Sequence, residues 1–185
     1  MNTDLTSSVR RFSANAGRLR RRPDSDLDFL PRAPLPGEIL YDTTVYIDIE
    51  KSRFPQGLDI LLAQRNPWHS TVVESELVYL CGRLDPHHPG TGAIVQEIDT
   101  VIQHWPPTRI LNPDRAIWRE AAILTGILTR LQHAAADDRG RTMNDALIFL
   151  CAVQRGCVVL SRNVRDFDLL MQLVPAGRAV FYRVN

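Results

Sequence analysis

One continuous apolar run, Cys157–Leu160, constrains the fold more than any other feature of the chain. It follows Gly156 and precedes Ser161, and it contains no polar residue. A short run of this kind is typical of a strand that is buried on both faces. Such strands belong to parallel sheets, because crossover helices then cover both sides. The run therefore predicts a parallel sheet within an α/β fold.

Shorter apolar runs alternate with segments of helical periodicity along the rest of the chain, as an α/β fold requires. Further strands are predicted at residues 38–41, 109–111 and 179–184. Helices are predicted at residues 57–65, 71–84, 94–105, 113–131, 142–155 and 166–173. Thr71 and Glu74 have the spacing of a capping box, and Asn112 with Pro113 has that of a helix start. The expected architecture is a three-layer sandwich with a central, mostly parallel sheet and helices on both faces.

Residues 1–37 differ in composition from the rest of the chain. They are rich in arginine and proline, and they contain too few apolar residues to offset the entropy lost on ordering. We predict a flexible N-terminal tail over residues 1–37 and one domain over residues 38–185. The alternative for the tail is an arm that contacts RNA through its arginines.

Bulk composition indicates little about the partners of the chain. The formal net charge is +1, so a nucleic-acid surface would have to come from local clusters of arginine. The three cysteines form no CxxC pair, and neither they nor the histidines have the spacing of a zinc site. No apolar run has the length of a membrane helix or of a secretory signal. We therefore expect a cytoplasmic protein without a membrane partner.

Four acidic residues occupy positions from which they can meet in one crevice. Asp42 follows the first predicted strand, and Asp166 follows the strand that ends at Leu160. Glu76 and Asp145 lie on predicted helices. Polar groups just past the carboxyl ends of parallel strands converge, because the crossover loops part at that edge. The sequence therefore predicts a carboxylate cluster there.

A carboxylate cluster suits phosphodiester hydrolysis. Mg²⁺ and Mn²⁺ prefer oxygen ligands, and Mg²⁺ usually takes one or two carboxylates, keeps several waters and completes its shell with substrate phosphate. In this hypothesis Asp42 and Asp145 are the principal ligands, and Glu76 and Asp166 bind directly or through water. Two arginines beside the cluster, Arg162 and Arg165, are placed to pair with the phosphates of a nucleic acid, and the alternative is that both are simply solvated.

Each acidic residue also has a purely structural explanation. Asp42 is placed to begin a turn, and Asp145 to complement the dipole of its helix. Asp166 is placed to cap the helix that follows it. Glu74 is explained as the capping partner of Thr71, whereas Glu76, two residues further along the helix, points in a different direction.

Four segments of the chain stand together in a recognisable order: LYDTTVYID at 40–48, VVESEL at 72–77, MNDALI at 143–148 and VLSRNVRDF at 159–167. They resemble the signature segments of PIN-domain nucleases, and most closely those of VapC-type toxins of bacterial toxin–antitoxin pairs. The likeness extends from about Ile39 to Pro175. It leaves the first 38 residues unexplained.

The resemblance implies a PIN-like fold, an RNA substrate, a homodimer and a VapB-like antitoxin that blocks the crevice. It assigns the metal-binding acids and the residues that complete the site: Asp42, Glu76 and Asp145, then Asp166 and Asn163. One departure is Thr44, which stands where the family usually has asparagine. A hydroxyl can still donate a hydrogen bond to a carboxylate, so the departure bears on efficiency more than on class.

The resulting hypothesis is a Mg²⁺- or Mn²⁺-dependent endoribonuclease that serves as the toxin of a VapBC-like pair. One alternative is a PIN-like module that binds RNA or an antitoxin without cutting. A second is an aspartyl-phosphate phosphohydrolase, which needs a second aspartate where this chain has Thr44. No signature of a serine or cysteine nucleophile is present.

Overall fold

The computed structural model describes residues 4–14, 16–33, 37–62, 65–132 and 139–184. A parallel three-stranded sheet runs in the order β1, β4, β5, formed by Ile39–Tyr41, Val158–Ser161 and Arg178–Phe181. Two further strands pair in parallel, β2 (His69–Ser70) with β3 (Ile110–Leu111). A bridge between Leu40 and Trp68 joins the two sheets.

Eight α-helices lie in the described ranges: α1 (Leu5–Ser13), α2 (Thr43–Glu50), α3 (Gln56–Leu62), α4 (Thr71–Gly82), α5 (Thr91–Gln103), α6 (Arg115–Gln132), α7 (Arg139–Arg155) and α8 (Val164–Leu173). Three short 3₁₀ turns accompany them, at Ala16–Arg18, Asp24–Asp26 and Pro107–Arg109. Within the same ranges, no helix has both the length and the apolar character that a bilayer crossing requires. Residues 63 and 64 of the helix predicted at 57–65 lie outside the described residues.

The two faces of the sheet pack into two separate cores. Along β4, Val159 contacts one core, whereas its neighbours Val158 and Leu160 contact the other. This alternation is the two-residue period of a strand, and both faces are apolar because both are covered. Helices α2 and α3 contribute to one core, and helices α4, α6, α7 and α8 contribute to the other. The predicted α/β class, with a parallel sheet between helices, is confirmed.

Helix α4 begins at Thr71, as predicted, but its expected capping box is wrong, and so is the predicted start of α6. Helix α4 is capped by Ser70, whose Oγ accepts from the backbone N–H of Val72 at 3.2 Å, so Thr71 and Glu74 do not form the expected capping box. Helix α6 begins at Arg115 rather than at Pro113. Caps are residues in extended backbone conformation just before the first turn, and spacing along the sequence identifies that residue only approximately.

Helices α2 and α7 change the interpretation of two acidic residues. Asp42 is the N-cap of α2, where the sequence suggested a simple turn, so a helix begins directly behind it. Asp145 is the seventh residue of α7, which starts at Arg139. A carboxylate complements the helix dipole only within the first turn, so Asp145 stands too far along the helix for that role. Gly156 ends α7 with a φ of +77°, in the left-handed conformation that glycine adopts at helix ends.

The N-terminal segment is packed where it is described, which differs from the flexible tail that its composition predicted. Asp4 caps α1, and Ser8 and Phe12, four residues apart, are both buried. Average composition conceals this because a helix needs only one apolar face to pack. Residues 1–3, 15 and 34–36 of the predicted tail lie outside the described residues. The domain boundary after residue 37 stays a prediction.

Candidate active site

The candidate site lies at the carboxyl edge of the three-stranded sheet. Asp42 follows β1 directly, and Ser161 ends β4 directly beside it. Glu76 comes from α4, and Asp145 comes from α7. Parallel strands end together at this edge, which explains why residues that are 119 positions apart can share a hydrogen bond there.

Asp42 is oriented by two hydroxyls. Its side chain is only 2 % exposed, and its Oδ2 accepts from the Oγ of Ser161 at 2.7 Å and from the Oγ1 of Thr44 at 2.7 Å. Burial raises the pKa of the Asp42 carboxyl, and these hydrogen bonds oppose the shift. Thr44 therefore performs the donation to a carboxylate that we expected of a hydroxyl at the family's asparagine position.

Glu76 is held by two side chains from different helices. The hydroxyl of Thr43 donates to its Oε2, and the amide of Asn144 donates to its Oε1 at 2.9 Å. Burial raises the pKa of the Glu76 carboxyl, and the charge of Asp42 raises it further, while the two hydrogen bonds lower it. Glu76 thus faces the other acids, as its predicted helical position required.

Asn163 bridges the remaining two acids. Its Nδ2 donates to Asp145 Oδ2 at 3.2 Å and to Asp166 Oδ2 at 2.9 Å. Its Oδ1 accepts from the backbone N–H of Asp166, so Asn163 is the N-cap of α8. The prediction that Asp166 caps this helix is therefore wrong by three residues, and Asp166 stands within the first turn with its carboxylate at the cluster.

Asp145 is buried among the charges of the other three acids. Its side chain is 6 % exposed, and burial raises the pKa of this carboxyl well above its ordinary value. The charges of Asp42, Asp166 and Glu76 add to that shift, while Arg141 opposes it. All the acidic groups that the sequence predicted thus influence one another electrostatically or through Asn163.

Three supporting residues were not predicted: Ser161, Thr43 and Asn144. All three lie inside the four segments quoted above, next to or near a predicted site residue, but their contacts depend on the relative placement of β4, α2, α4 and α7. Within the described ranges, no group of three histidine, cysteine or acidic side chains is arranged so that it would hold one metal ion as placed. Metal binding and the roles of the site residues stay predictions.

Arg162, one of the two arginines expected to contact RNA, is engaged within the protein. Its Nε donates to Asp48 Oδ2 at 2.6 Å, and the hydroxyl of Tyr182 donates to the same oxygen at 2.9 Å. Asp48 is fully buried on α2. This pairing ties α2 to the end of β4 and gives Arg162 a structural contact, so its contact with RNA stays a prediction. Arg165 lies exposed in the first turn of α8.

Comparisons with solved structures place the chain in a known fold. No family model and no curated protein sequence matches the chain. The DNA-bound VapBC structure from Salmonella typhimurium aligns with a TM-score of 0.56 at 18 % identity, over 78 % of this chain and 97 % of that chain. FitAcB from Neisseria gonorrhoeae aligns with a TM-score of 0.56 at 18 % identity, over 77 % and 96 %.

A third structure gives the same result. VapBC2 from Rickettsia felis, bound to a DNA fragment from its promoter, aligns with a TM-score of 0.54 at 15 % identity, over 78 % of this chain and 98 % of that chain. At such low identity the likeness shows the fold. The chain therefore has the α/β fold of VapC-type PIN domains, and the PIN-like fold class predicted from the sequence is confirmed.

Proposed function

We propose that the chain is a Mg²⁺- or Mn²⁺-dependent endoribonuclease, the toxin of a VapBC-like pair, that hydrolyses RNA phosphodiester bonds. The observation that carries the proposal is a contrast among buried carboxylates. Asp48 and Asp168 are both fully buried, and each has an arginine within 2.6 Å. Asp42 and Asp145 are almost equally buried, yet among the described residues neither has an ion-pair partner.

This contrast points to a cation that the chain does not itself supply. A buried charge without a counter-charge is costly, and mutual repulsion in the cluster adds to the cost. The charge of Arg141 lowers the pKa of Asp145, but Arg141 is exposed to solvent and is not a buried counter-charge. The donor set is made of carboxylate, hydroxyl and amide oxygens, which suits a hard divalent cation.

In this proposal Asp42 and Asp145 would be the principal ligands of the cation, with Glu76 and Asp166 binding directly or through water. When bound, the cation would supply a Lewis acid that activates water and offsets the charge of a phosphodiester. Two carboxylates suffice for Mg²⁺, which commonly keeps several waters. Binding by all four acids together would require their side chains to move from the positions described above.

The remaining residues of the site would hold the carboxylates in place. Ser161 and Thr44 direct Asp42 Oδ2, and the amide of Asn163 keeps Asp145 and Asp166 beside each other. Because the Oγ of Ser161 also accepts from the backbone N–H of Asn163 at 2.8 Å, one hydroxyl links the two halves of the cluster. Pre-organisation of this kind reduces the reorganisation that catalysis would otherwise need.

The test is cleavage of a mixed pool of structured RNAs by the purified protein with manganese. We expect cutting that EDTA abolishes and that Asp145→Asn reduces by at least about a hundredfold, since an amide is a poor ligand for a hard cation. Asp99→Asn is the matched control, because Asp99 is exposed on α5, outside the cluster. Cutting that survives EDTA, or survives the Asp145 substitution, would exclude this proposal.

We further propose a VapB-like antitoxin as the partner, and a homodimer as the assembly. The compared structures are of VapBC and FitAcB, and this chain has an apolar groove between α2, α4 and α5 with a volume of about 610 Å³. Ile49 and Val101 line it and are 46 % and 39 % exposed. An amphipathic helix of the partner would fill such a groove.

The groove is tested by charge insertion at its exposed positions. We expect Ile49→Glu and Val101→Glu to prevent co-purification of a co-expressed antitoxin without loss of RNA cleavage. Ile60→Glu is the matched control, because Ile60 is 70 % exposed on α3 and does not line the groove. Retention of the antitoxin by both groove variants would place its binding elsewhere.

A further inference from the structure

The N-terminal segment is attached to the domain at several places, among them α6, α8 and β5, although the family resemblance begins only at Ile39. Phe12 of α1 is buried in the core that includes α6, and Arg11 pairs with Glu120 at 2.6 Å. Further along, residues 28–30 pair in parallel with the outer edge of β5 through two backbone hydrogen bonds of 2.8 Å to Phe181. Between these two attachments lies a third, at α8.

The third attachment is a two-point contact between Arg22 and Asp168. The backbone N–H of Arg22 donates to Asp168 Oδ2 at 2.7 Å, and its Nε donates to Asp168 Oδ1 at 2.6 Å. Gln172 adds a donor to Oδ2 at 3.1 Å and also donates to the carbonyl of Arg20 at 2.8 Å. Asp168 is fully buried, and Arg22 forms its one ion pair among the described residues.

Helix α8 therefore lies between this contact and the candidate site. Asp166 and Asp168 are two residues apart, which separates them by about 200° around a helix. Asp166 faces Asn163 and the cluster, whereas Asp168 faces the N-terminal segment. The same helix begins at Asn163, whose amide joins Asp145 to Asp166. A shift of α8 would thus move two members of the cluster.

We propose that Arg22 is a positioning residue, which holds α8 through Asp168 so that Asn163 and Asp166 stand against Asp145. The consequence for cleavage rests on the proposed nuclease function, but the positioning itself does not. Removal of the Arg22 guanidinium leaves a buried carboxylate without its counter-charge, and a shift of α8 or of the N-terminal segment would bring Asp168 to water. The N-terminal segment is in this view part of the site's support.

The experiment compares Arg22→Ala, Arg22→Lys and Arg20→Ala in the full chain. Arg20 is the matched control: its side chain is exposed, and only its backbone carbonyl contacts α8. Two quantities are measured, the NMR signal of the Asn163 side-chain amide, assigned with Asn163→Asp, and kcat and KM for RNA cleavage. Thermal unfolding is recorded in parallel.

For Arg22→Ala we expect a displaced Asn163 amide signal and a fall in kcat of between about tenfold and about a hundredfold, the scale of a small misplacement of catalytic groups. KM should stay within about twofold, because Arg22 contacts the side of α8 that faces away from the cluster. Arg22→Lys should recover part of both effects, and Arg20→Ala should show neither. The proposal is overturned if Arg22→Ala has the same Asn163 signal and the same kcat as Arg20→Ala and differs only in a lower unfolding temperature.

Two further outcomes have defined meanings. If the unmodified protein does not cleave RNA, the nuclease proposal fails, while the Asn163 signal still decides whether Arg22 positions α8. If Arg22→Ala does not fold, a double variant that carries both Arg22→Ala and Asp168→Asn is made, because it lacks the unpaired charge. This double variant is compared with Asp168→Asn alone. An Asn163 signal displaced only when Arg22 is absent supports the proposal, and an identical signal in the two proteins overturns it.

Discussion

Replacement of Asp145 by asparagine should stabilise the metal-free protein. Asp145 Oδ2 lies 3.2 Å and Asp166 Oδ2 lies 2.9 Å from the same Asn163 nitrogen, so the two oxygens are at most about 6 Å apart. At that separation two unit charges repel by about 3 kcal/mol if the effective dielectric constant is about 20. An amide oxygen at position 145 still accepts the hydrogen bond from Asn163. We expect a gain of about 1–3 kcal/mol in the free energy of unfolding at pH 7.5, because Arg141 and local relaxation offset part of the repulsion.

The pH dependence of this gain has a definite sign. The pKa of Asp145 is raised in the folded protein, so the unmodified protein loses stability as pH rises from the ordinary carboxyl pKa, about 4, toward the raised value. An asparagine has no such titration. The gain is therefore absent well below pH 4 and increases with pH above it.

Denaturant unfolding in EDTA, at pH 5.0 and pH 7.5, measures the effect, with Asp99→Asn as the control that should change the unfolding free energy by less than about 0.5 kcal/mol. Saturating manganese should reverse the order of stability, since a ligand that binds only the folded protein stabilises it by mass action. A destabilised Asp145→Asn in EDTA, or a gain independent of pH, would refute the electrostatic account.

The remaining expectations concern single residues of the structure and the two alternative functions. Ser161→Ala removes a buried donor to Asp42 and should lower the unfolding free energy by about 1.5–3 kcal/mol in denaturant titrations, with Ser25→Ala on the surface as control. Thr44→Val removes a donor to Asp42 and should lower RNA cleavage at least about tenfold, whereas Thr44→Asn keeps a donor and should retain cleavage. If Thr44→Val cleaves RNA as fast as the unmodified protein, a donor at this position is dispensable. Gly156→Ala should cost about 1 kcal/mol in unfolding free energy because of its positive φ, and no loss would contradict that conformation. The protein should leave a chromogenic phosphate monoester intact, and hydrolysis of that ester would favour the phosphohydrolase. In calorimetry, manganese binding by a protein that does not cleave RNA would favour the binding module.

The fold class was predictable because its signals are local. The apolar run that became β4 and the amphipathic periodicity of α5 and α6 depend on neighbouring residues only. Helix α2 was missed because it has only eight residues and because its start is ambiguous in the sequence. Asp42 caps the helix, but an aspartate at this position also suits a turn. The packing of α1 was missed for a related reason, since the buried Phe12 is enough to dock a helix whose other apolar residues, Leu5 and Val9, are exposed.

The partners of the buried carboxylates were not predictable, because they lie far away along the chain. Arg22 and Asp168 are 146 residues apart, and Arg162 and Asp48 are 114 residues apart. The resemblance singled out Asp145 and not Asp168, but it did not show how their surroundings differ: the fold neutralises Asp168 with a guanidinium and leaves Asp145 among like charges. The distinction between a structural and a functional carboxylate therefore depends on tertiary contacts. The same long-range pairing involves the N-terminal arginines, for which composition suggested contact with RNA: Arg11 pairs with Glu120, and Arg22 pairs with Asp168.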